Sequence, residues 1–317
     1  MDNEPTTYGI KMDQYCSILE REGVTIVRGD DARVVWCRGE SGAFERHPVF
    51  WLELPSLKEI RRCFWRHRAA VVAYIREPDA SHPANAWLYV CEDKGYRLEG
   101  LKTQGRRNIR RAMQRYRFQY LDCESLRKHG ENIFCETRSR IGLSDGTPLN
   151  FNRLCDRYEK NPACRILGAW EGDRLAAFLA TLVVEDWLTV NVFAGNEDMS
   201  SCPNAGLIYQ LILEFLVEGK GRVVTFGLSS IQDADNVLTL DYFKRKIGFE
   251  AKPIHRVFLI HPFLRPLINP LGYWLLHRLV KLWPRNRVFR KVAGLFASVL
   301  GYRKVAIETG SPSAEEE

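Results

Sequence analysis

Polar side chains that could bind a substrate and move a proton are concentrated in residues 227–236, GLSSIQDADN. This segment follows a β-rich run and precedes a helical one, and α/β proteins often place ligands at such strand ends. The hydroxyls of Ser229 and Ser230 could hydrogen-bond a substrate. Asp233 or Asp235 could accept a proton as a general base. A loop whose acids only close a turn or cap the next helix explains the same residues, so both interpretations stay open.

Phosphate binding is a second chemical possibility, and it rests on residues that open a helix. Asn204, Ala205 and Gly206 begin a segment whose apolar periodicity is typical of a helix. The free N–H groups at a helix N-terminus can bind a phosphate or a carboxylate. We therefore predict that these three residues bind the donor, although any helix that begins with Asn would look the same.

Residues 102–117 form a basic segment with seven Lys or Arg side chains and no acid. In a helix Arg107 and Arg111, spaced i and i+4, share one face and present a basic stripe. We predict that Arg107 and Arg111 bind the phosphates of a CoA-like or nucleotide-linked donor. Binding of nucleic acid and a purely structural helix, with its bases paired to acids elsewhere, are the alternatives.

Several classes of chemistry lack their sequence signature. No Gly-x-Ser-x-Gly segment indicates a serine nucleophile, the nine cysteines include no CxxC pair, and the seven histidines have no metal-binding spacing. The N-terminus has no apolar signal segment, and no uncharged apolar stretch is long enough to span a bilayer. We therefore expect reduced thiols, no metal and a cytoplasmic location.

Hydrophobic patterns predict a mixed α/β fold. Strand-like runs occupy 24–28, 34–37, 50–52, 69–75, 86–91, 118–121, 165–170, 175–183, 187–193, 222–228 and 255–260. Helical patterns occupy 57–65, 102–117, 125–141, 149–160, 204–218, 238–247, 271–282 and 288–300. Ser56 is expected to cap the first of these helices, and Gly248 is expected to end the helix at 238–247.

Three short segments suggest a family: KTQGRRNIRRA at 102–112, GAWEGDRLAAF at 168–178 and LDYFKRKIGF at 240–249. Their order and spacing, over about half of the chain, resemble those of the FemAB/BioF2-like acyltransferases of the GNAT superfamily. The resemblance implies a GNAT-like α/β fold with a mixed sheet. It also implies a tandem arrangement, with a reduced N-terminal half at 1–101 and a GNAT-like domain, opened by the basic helix, at 102–262.

The same resemblance assigns a role to Lys244. The corresponding lysine of the family lies near the reacting carbonyl and can stabilise the charge that develops on its oxygen. Acyl-CoA is the co-substrate that the resemblance implies, and aminoacyl-tRNA is the alternative donor because FemAB relatives use it. Asn191, in a predicted strand of the central hairpin, is a further candidate substrate-binding residue. For Lys244 the simpler alternative is a solvated helix face, since three bases follow one another at 244–246.

The C-terminal region differs from the rest of the chain in charge. Residues 251–309 hold eleven Lys or Arg and a single acid, Glu308, and between 263 and 304 the bases alternate with Trp, Phe and Leu. This composition is typical of helices that lie in a membrane interface. We predict that the tail 263–304 binds the inner face of an anionic membrane and that 305–317 are disordered. Helices packed on the body of the protein are the alternative.

These observations lead to one predicted function and two alternatives. The chain is expected to transfer an acyl group from acyl-CoA to an amine or hydroxyl of a cell-envelope, polysaccharide or lipid acceptor, without a covalent enzyme intermediate. The first alternative is an aminoacyl transferase that uses aminoacyl-tRNA. The second is an inactive GNAT scaffold that binds anionic membrane or nucleic acid.

Overall fold

A computed structural model describes residues 9–39, 42–141, 146–195, 202–219, 221–229, 236–283 and 286–302. Within these ranges eleven strands form one sheet. They are β1 (Ile26–Arg28), β2 (Val35–Arg38), β3 (Ala43–His47), β4 (Val71–Arg76), β5 (Ala86–Cys91), β6 (Arg117–Tyr120), β7 (Cys164–Glu171), β8 (Arg174–Val184), β9 (Trp187–Gly195), β10 (Val223–Leu228) and β11 (Glu250–Ile260).

The same ranges contain nine α-helices. They are α1 (Met12–Arg21), α2 (Leu57–Arg61), α3 (Thr103–Arg115), α4 (Cys123–Arg140), α5 (Pro148–Glu159), α6 (Pro203–Ile212), α7 (Asn236–Lys246), α8 (Pro270–Leu282) and α9 (Arg287–Val299). α2 continues as a π-helical turn at Arg62–Arg66, and α6 continues as another at Leu213–Glu218. Apart from α1 and the exact bounds, these are the helices that the sequence predicts.

The order of the strands mixes the two parts of the chain that the family resemblance separates. The sheet runs β1-β2-β3-β4-β11-β5-β10-β9-β8-β7-β6. Among these neighbouring strands two pairs are parallel, namely β3–β4 and β9–β10, and the other pairs are antiparallel. β5, from the first hundred residues, lies between β11 and β10, and β11 pairs with β4 on its other edge. Strands on both sides of the predicted boundary at residue 101 therefore belong to one sheet.

The centre of the sheet is buried on both faces. On β8, Ala177 and Leu179 contact the core beneath α3 and α6, whereas Phe178 and Ala180 contact the core beneath α4 and α5. Successive side chains of a strand point to opposite faces, so a strand covered on both sides needs apolar residues throughout. This explains the continuous hydrophobic run at 175–183 and confirms the strand that is predicted there.

Local signals explain several ends of elements. Ser56 caps α2, since its Oγ accepts a hydrogen bond from the N–H of Glu59 at 3.1 Å. Gly248 follows α7 with φ +100°, a conformation that favours glycine, and it confirms the predicted end of that helix. The strand predicted at 50–52 is wrong. Phe50 lies in an irregular segment, and its ring packs edge-on against Trp187 at 5.9 Å between centroids.

Two elements are absent from the predictions. α1 has a mixed sequence, yet Met12, Tyr15 and Cys16 are buried against the sheet. β3 contains charged residues that weaken its strand pattern, and one of them, Arg46, is buried and pairs with buried Glu59 at 3.8 Å. In both cases tertiary contacts stabilise an element whose local sequence gives only a weak signal.

The C-terminal residues form a helical hairpin. α8 and α9 pack against each other, and α9 also contacts β11. Asn269 caps α8 and Asn286 caps α9, each accepting a hydrogen bond from a backbone N–H of the first turn. Across the described ranges, no helix has the length and apolar character needed to cross a membrane.

Candidate functional site

Lys244 is a buried lysine near the end of α7. Only 3% of its surface is exposed, while Arg245 beside it is exposed and Lys246 is half-buried. The Lys244 Nζ lies 3.9 Å from the centroid of the Tyr89 ring and 5.1 Å from that of Phe226. The simpler alternative, a solvated face for all three bases, is therefore wrong for Lys244. The helix turns this side chain onto the sheet between β5 and β10.

The surroundings of Lys244 change its acid–base properties. Burial lowers the pKa of its ammonium from 10.5 to about 8, and the carboxylate of Asp241, one turn earlier on α7, opposes this shift. Aromatic faces also attract the ammonium, because the ring quadrupole is negative above the plane. A lysine with a pKa near 8 exchanges its proton close to neutral pH, as many catalytic groups do.

Tyr89 places a second polar group beside Lys244. Its side chain is fully buried, and its Oη lies next to the carboxylate of Asp241, although that contact lacks full hydrogen-bond geometry. Burial raises the pKa of this phenol, and the nearby carboxylate of Asp241 raises it further. The Tyr89 hydroxyl and the Asp241 carboxylate therefore form a buried polar pair beside the Lys244 ammonium.

The strands beside Lys244 separate to form an opening between β9 and β10. Their pairing is limited to Trp187–Thr189 with Val223–Thr225, although both strands continue beyond it. A β-bulge at Phe226 interrupts the register of β10 against β5, and Gly227 follows it with φ +76°. Bulges of this kind occur next to active sites, where they redirect side chains and end pairing. Beyond this short pairing, β9 and β10 are no longer joined as neighbouring strands.

Aromatic side chains line this opening. Phe193 of β9 and Phe226 of β10 meet across it, with ring centroids 5.8 Å apart and planes at 80°. Phe243 of α7 stacks on Phe193 at 6.5 Å, and Phe249 contacts Phe226 at 5.5 Å. Lys244, Asp241 and Tyr89 therefore form a small polar group against an apolar wall. Such a wall excludes water and strengthens electrostatic interactions.

Ser229, a predicted substrate-binding residue, is buried and has a structural contact. Its Oγ accepts a hydrogen bond from the N–H of Trp87 at 3.0 Å, and its own N–H donates to the carbonyl of Trp87 at 2.7 Å. These bonds extend the pairing of β10 with β5, so the hydroxyl already has a partner. Three more predicted site residues, Ser230, Asp233 and Asp235, lie outside the described residues, and their roles stay predictions.

Asn191 lies on the side of the sheet opposite to Lys244. It occupies an irregularity of β9 against β8, and its Nδ2 donates to the Oη of Tyr158 at 3.4 Å. Tyr158 belongs to the core beneath α4 and α5, whereas Tyr89 belongs to the core beneath α3 and α6. The structure therefore does not bring Asn191 and Lys244 together, and substrate binding by Asn191 stays a prediction.

The first turn of α6 is close-packed. A Cβ at Gly206 would lie 2.5 Å from Cζ of Phe118 and 2.7 Å from Cβ of Ala112, so glycine lets α6 approach α3 closely. Ala205 is fully buried, and Oδ1 of Asn204 is buried without a partner among the described residues. Gly206 and Ala205 thus have a packing role, and donor binding at this turn stays a prediction.

The predicted basic stripe is exposed on α3. Arg107 and Arg111, with Arg110 beside them, point to solvent. The helix is held against α7, because a Cβ at Gly105 would lie only 2.0 Å from the carbonyl oxygen of Lys246. The basic stripe of α3 therefore begins beside the C-terminal end of α7, which is the end that carries Lys244. Its role in binding phosphates stays a prediction.

The cysteines show no sign of nucleophilic use. All nine lie in the described residues, and none of them forms a disulfide there. Burial raises the pKa of Cys37 and Cys63 to about 12 and that of Cys91 to about 11. A thiolate is the reactive form, so these thiols are poor nucleophiles at neutral pH. Among the described residues no group of three His, Cys, Asp or Glu could hold a metal ion.

Sequence reasoning missed Tyr89, Asp241 and Phe226. Tyr89 lies in an apolar strand and has the pattern of an ordinary core aromatic, and Phe226 does too. Asp241 is inside the LDYF segment, three residues before Lys244, and that i, i+3 spacing was the one available signal. The sequence gives no sign that β5 lies next to β10.

No known family profile matches this sequence, and no curated protein matches it either. Solved structures share its fold. FemX superposes with a TM-score of 0.54 at 10% identity, covering 80% of this chain and 93% of that one. The C-terminal domain of a protein assigned as a lysylphosphatidylglycerol synthetase from Agrobacterium fabrum gives 0.52 at 11% identity, covering 93% of both chains. A protein of unknown function from Bacteroides thetaiotaomicron gives 0.51 at 8% identity, covering 80% and 91%.

These likenesses concern the whole arrangement of strands and helices, at identities where only the fold is comparable. They agree with a mixed α/β fold over most of this chain. The predicted fold class is therefore confirmed: the chain has a mixed α/β fold like that of FemX.

Proposed function

We propose that this protein transfers an acyl group from an activated donor to an amine or hydroxyl of an acceptor. The donor carbonyl binds in the opening between β9 and β10, and the Lys244 ammonium lies beside its oxygen. The observation that supports this most is the burial of Lys244, with its pKa lowered to about 8, next to the β-bulge of β10. Burying this charge costs free energy of desolvation, which supports a functional reason for its retention.

The reaction proceeds by direct attack. The acceptor nitrogen or oxygen attacks the carbonyl carbon, and the electron pair of the C=O bond moves onto the oxygen. The ammonium of Lys244 stabilises that oxyanion, because the aromatic wall lowers the local dielectric. The intermediate collapses and expels the donor's thiolate or alkoxide, while the proton of the nucleophile passes to a base or to water. Donor binding requires the contact between Phe193 and Phe226 to open.

Acyl-CoA is the donor that we propose first. The N-terminus of α6 and Arg107 and Arg111 of α3 flank this part of the fold and are the candidate phosphate-binding groups. Aminoacyl-tRNA is the second candidate donor, and the exposure of Arg107, Arg110 and Arg111 on one helix favours it. The two donors differ in size. Aminoacyl-tRNA is a long polyanion and would need the whole basic stripe of α3, whereas CoA would need only the part of the stripe nearest to Lys244.

The acceptor in this proposal is an amine or hydroxyl on a lipid, a polysaccharide or a cell-envelope precursor. The apolar and basic α8–α9 hairpin favours a lipid-linked acceptor, since it would bring the enzyme to the surface where such acceptors lie. The expected location is the inner face of the cell membrane, where both CoA and aminoacyl-tRNA are available.

A donor panel tests the proposal. The purified full chain is incubated with membrane lipid extract and either radiolabelled acyl-CoA species or aminoacyl-tRNA, and label in lipid and released CoA are measured. We expect Lys244→Ala to lower kcat by about 10² to 10³. Lys246→Ala, which removes a neighbouring base that is half-exposed, is the matched control and should retain activity.

Each outcome separates the candidates. Transfer from aminoacyl-tRNA alone, weakening steeply with salt, favours the second donor. Biological activity that survives Lys244→Ala but is lost when residues 271–300 are deleted would overturn the enzymatic proposal and favour a binding scaffold.

A further inference from the structure

The α8–α9 hairpin leaves most of its apolar surface in solvent. Among its described residues only Gly294 and Ala297 are buried. The segment before it is just as exposed, with Phe263 at 79%. The large apolar side chains that are exposed between 262 and 302 are Phe263, Leu264, Leu267, Leu271, Trp274, Leu275, Leu282, Trp283, Val288, Val299 and Tyr302. Exposed apolar surface on this scale marks an interaction site.

A distant part of the chain joins this surface. Trp65, in the π-helical turn that follows α2, is 60% exposed. Its ring lies 5.2 Å from that of His261 and 6.4 Å from that of Phe263, and His261 contacts Phe263 at 5.3 Å. Residues 61–68, 262–283 and 286–302 therefore form one continuous surface, which we name the aromatic–basic face.

Both segments of the chain that contribute to the aromatic–basic face, residues 61–68 and 262–302, carry positive charge and no negative charge. Arg61, Arg66 and Arg68 are exposed around Trp65, and residues 61–68 contain no acid. Residues 262–302 also contain no acid, and their exposed bases include Arg265, Arg278 and Lys281. The guanidinium of Arg278 lies 4.7 Å above the Trp274 ring, which keeps a base and an apolar ring side by side.

We propose that the aromatic–basic face binds the surface of an anionic bilayer, with residues 61–68 as an integral part of it. The exposed Leu and Val side chains gain by entering the acyl-chain boundary, whereas they cannot stack on nucleic-acid bases. The tryptophans suit the headgroup region, and each base near an anionic leaflet adds attraction. A second copy of this chain is a poor partner, because two faces of the same positive sign repel each other.

Vesicle flotation of the full chain tests this proposal. One set of vesicles is phosphatidylcholine alone, and the other contains phosphatidylglycerol in addition. We expect binding to the second set only, and weaker binding as salt screens the charge. Arg66→Gln should weaken partitioning about fivefold, and Trp65→Ser about tenfold. Both side chains are exposed, so neither change should alter the melting temperature much.

Matched controls lie on α5, which packs with α4 at another part of the sheet. Leu149→Ser removes a side chain that is 61% exposed, close to the 60% of Trp65, and Arg153→Gln removes an exposed base. Both controls should bind vesicles like the natural chain, and so should Lys244→Ala, because vesicle binding requires no catalysis.

Three results would overturn the proposal. The first is equal binding to both vesicle types, and the second is a loss of vesicle binding in the α5 controls as large as in Trp65→Ser and Arg66→Gln. The third is unchanged vesicle binding in Trp65→Ser and Arg66→Gln. The proposal would also fail if RNA, or a dimer seen by light scattering, occupied the aromatic–basic face and vesicles did not. These results would remove the argument for a lipid-linked acceptor, but they leave the acyl-transfer chemistry at Lys244 to the donor panel, which measures it separately.

Discussion

The Lys244 ammonium lies 3.9 Å from the centre of the Tyr89 ring, although the two residues belong to α7 and β5, which are far apart in the chain. The contact exists because β5 is inserted between β11 and β10, directly beneath α7. It places a base with a lowered pKa and a phenol with a raised pKa side by side in an apolar setting. Groups whose environments push their pKa values apart are suited to acid–base and electrostatic roles.

Replacing Lys244 by Met should stabilise the protein at pH 7. The pKa of Lys244 falls from 10.5 to about 8 on folding, so below pH 8 the fold bears the full cost of the buried charge, on the order of 3 kcal/mol. Between pH 8 and 10.5 the unfolded chain binds more protons, and this cost disappears as pH rises. Urea denaturation of both proteins at pH 7 and pH 9.5 should show a gain from Lys244→Met that shrinks at the higher pH.

The control for that experiment is Lys246→Met, which changes a half-exposed base and should have little effect on stability. A loss of stability in Lys244→Met at pH 7 would mean that the ammonium stabilises the fold, and the functional argument from its burial would fail.

Transfer activity should fall as pH rises through about 8. The ammonium form of Lys244 stabilises the oxyanion in the proposed mechanism, and deprotonation removes that charge. Lys244→Arg should move this loss of activity to higher pH, because the guanidinium group stays protonated. This shift is expected even if the larger guanidinium group lowers kcat. The measurement is kcat/KM against pH. Activity that instead rises through pH 8 would assign Lys244 the role of a base.

Tyr89→Phe should largely retain stability while it lowers activity. It keeps the ring under the Lys244 ammonium and removes a buried hydroxyl that has no hydrogen bond of normal geometry in the described structure. Because the contact of this hydroxyl with the Asp241 carboxylate lacks full hydrogen-bond geometry, its loss should cost less than about 1 kcal/mol of stability. Thermal melting and kcat are measured together, and unchanged activity would show that the hydroxyl does not contact the ligand.

Gly105→Ala should destabilise the protein and disturb Lys244. The new Cβ would lie 2.0 Å from the carbonyl oxygen of Lys246, a backbone atom that cannot rotate away, so α3 or the end of α7 must shift. We expect a loss of about 2 kcal/mol together with reduced activity. Gly100→Ala is the control, since nothing lies within 4 Å of a Cβ there. Equal melting temperatures for the two variants would contradict the contact.

Ser229→Ala separates a structural serine from a substrate-binding one. Removing Oγ leaves the N–H of Trp87 without its acceptor, which should cost about 1 to 3 kcal/mol of stability. A lower melting temperature with an unchanged KM is the expected result. A raised KM at unchanged stability would instead support the predicted contact with substrate.

The sequence alone determined most of the local elements, and it offered Lys244 as a candidate site residue. Periodicity placed most strands and helices, because burial on one or two faces of a sheet fixes the spacing of apolar residues. The Ser56 cap and the Gly248 helix end followed from backbone chemistry that is also local. Lys244 followed from a short motif at 240–249, but its burial did not, since three consecutive bases usually face solvent.

The tertiary structure decided which residues meet Lys244. Tyr89 and Phe226 reach it only because β5 and β10 are neighbours, and strand order depends on long-range pairing that no local pattern encodes. The opening beside them arises where β9 and β10 stop pairing at the bulge, which is again a property of two strands. Trp65 joins the C-terminal surface in the same way, through ring contacts across the fold. Local sequence sets each segment's shape, and packing between segments sets the chemistry.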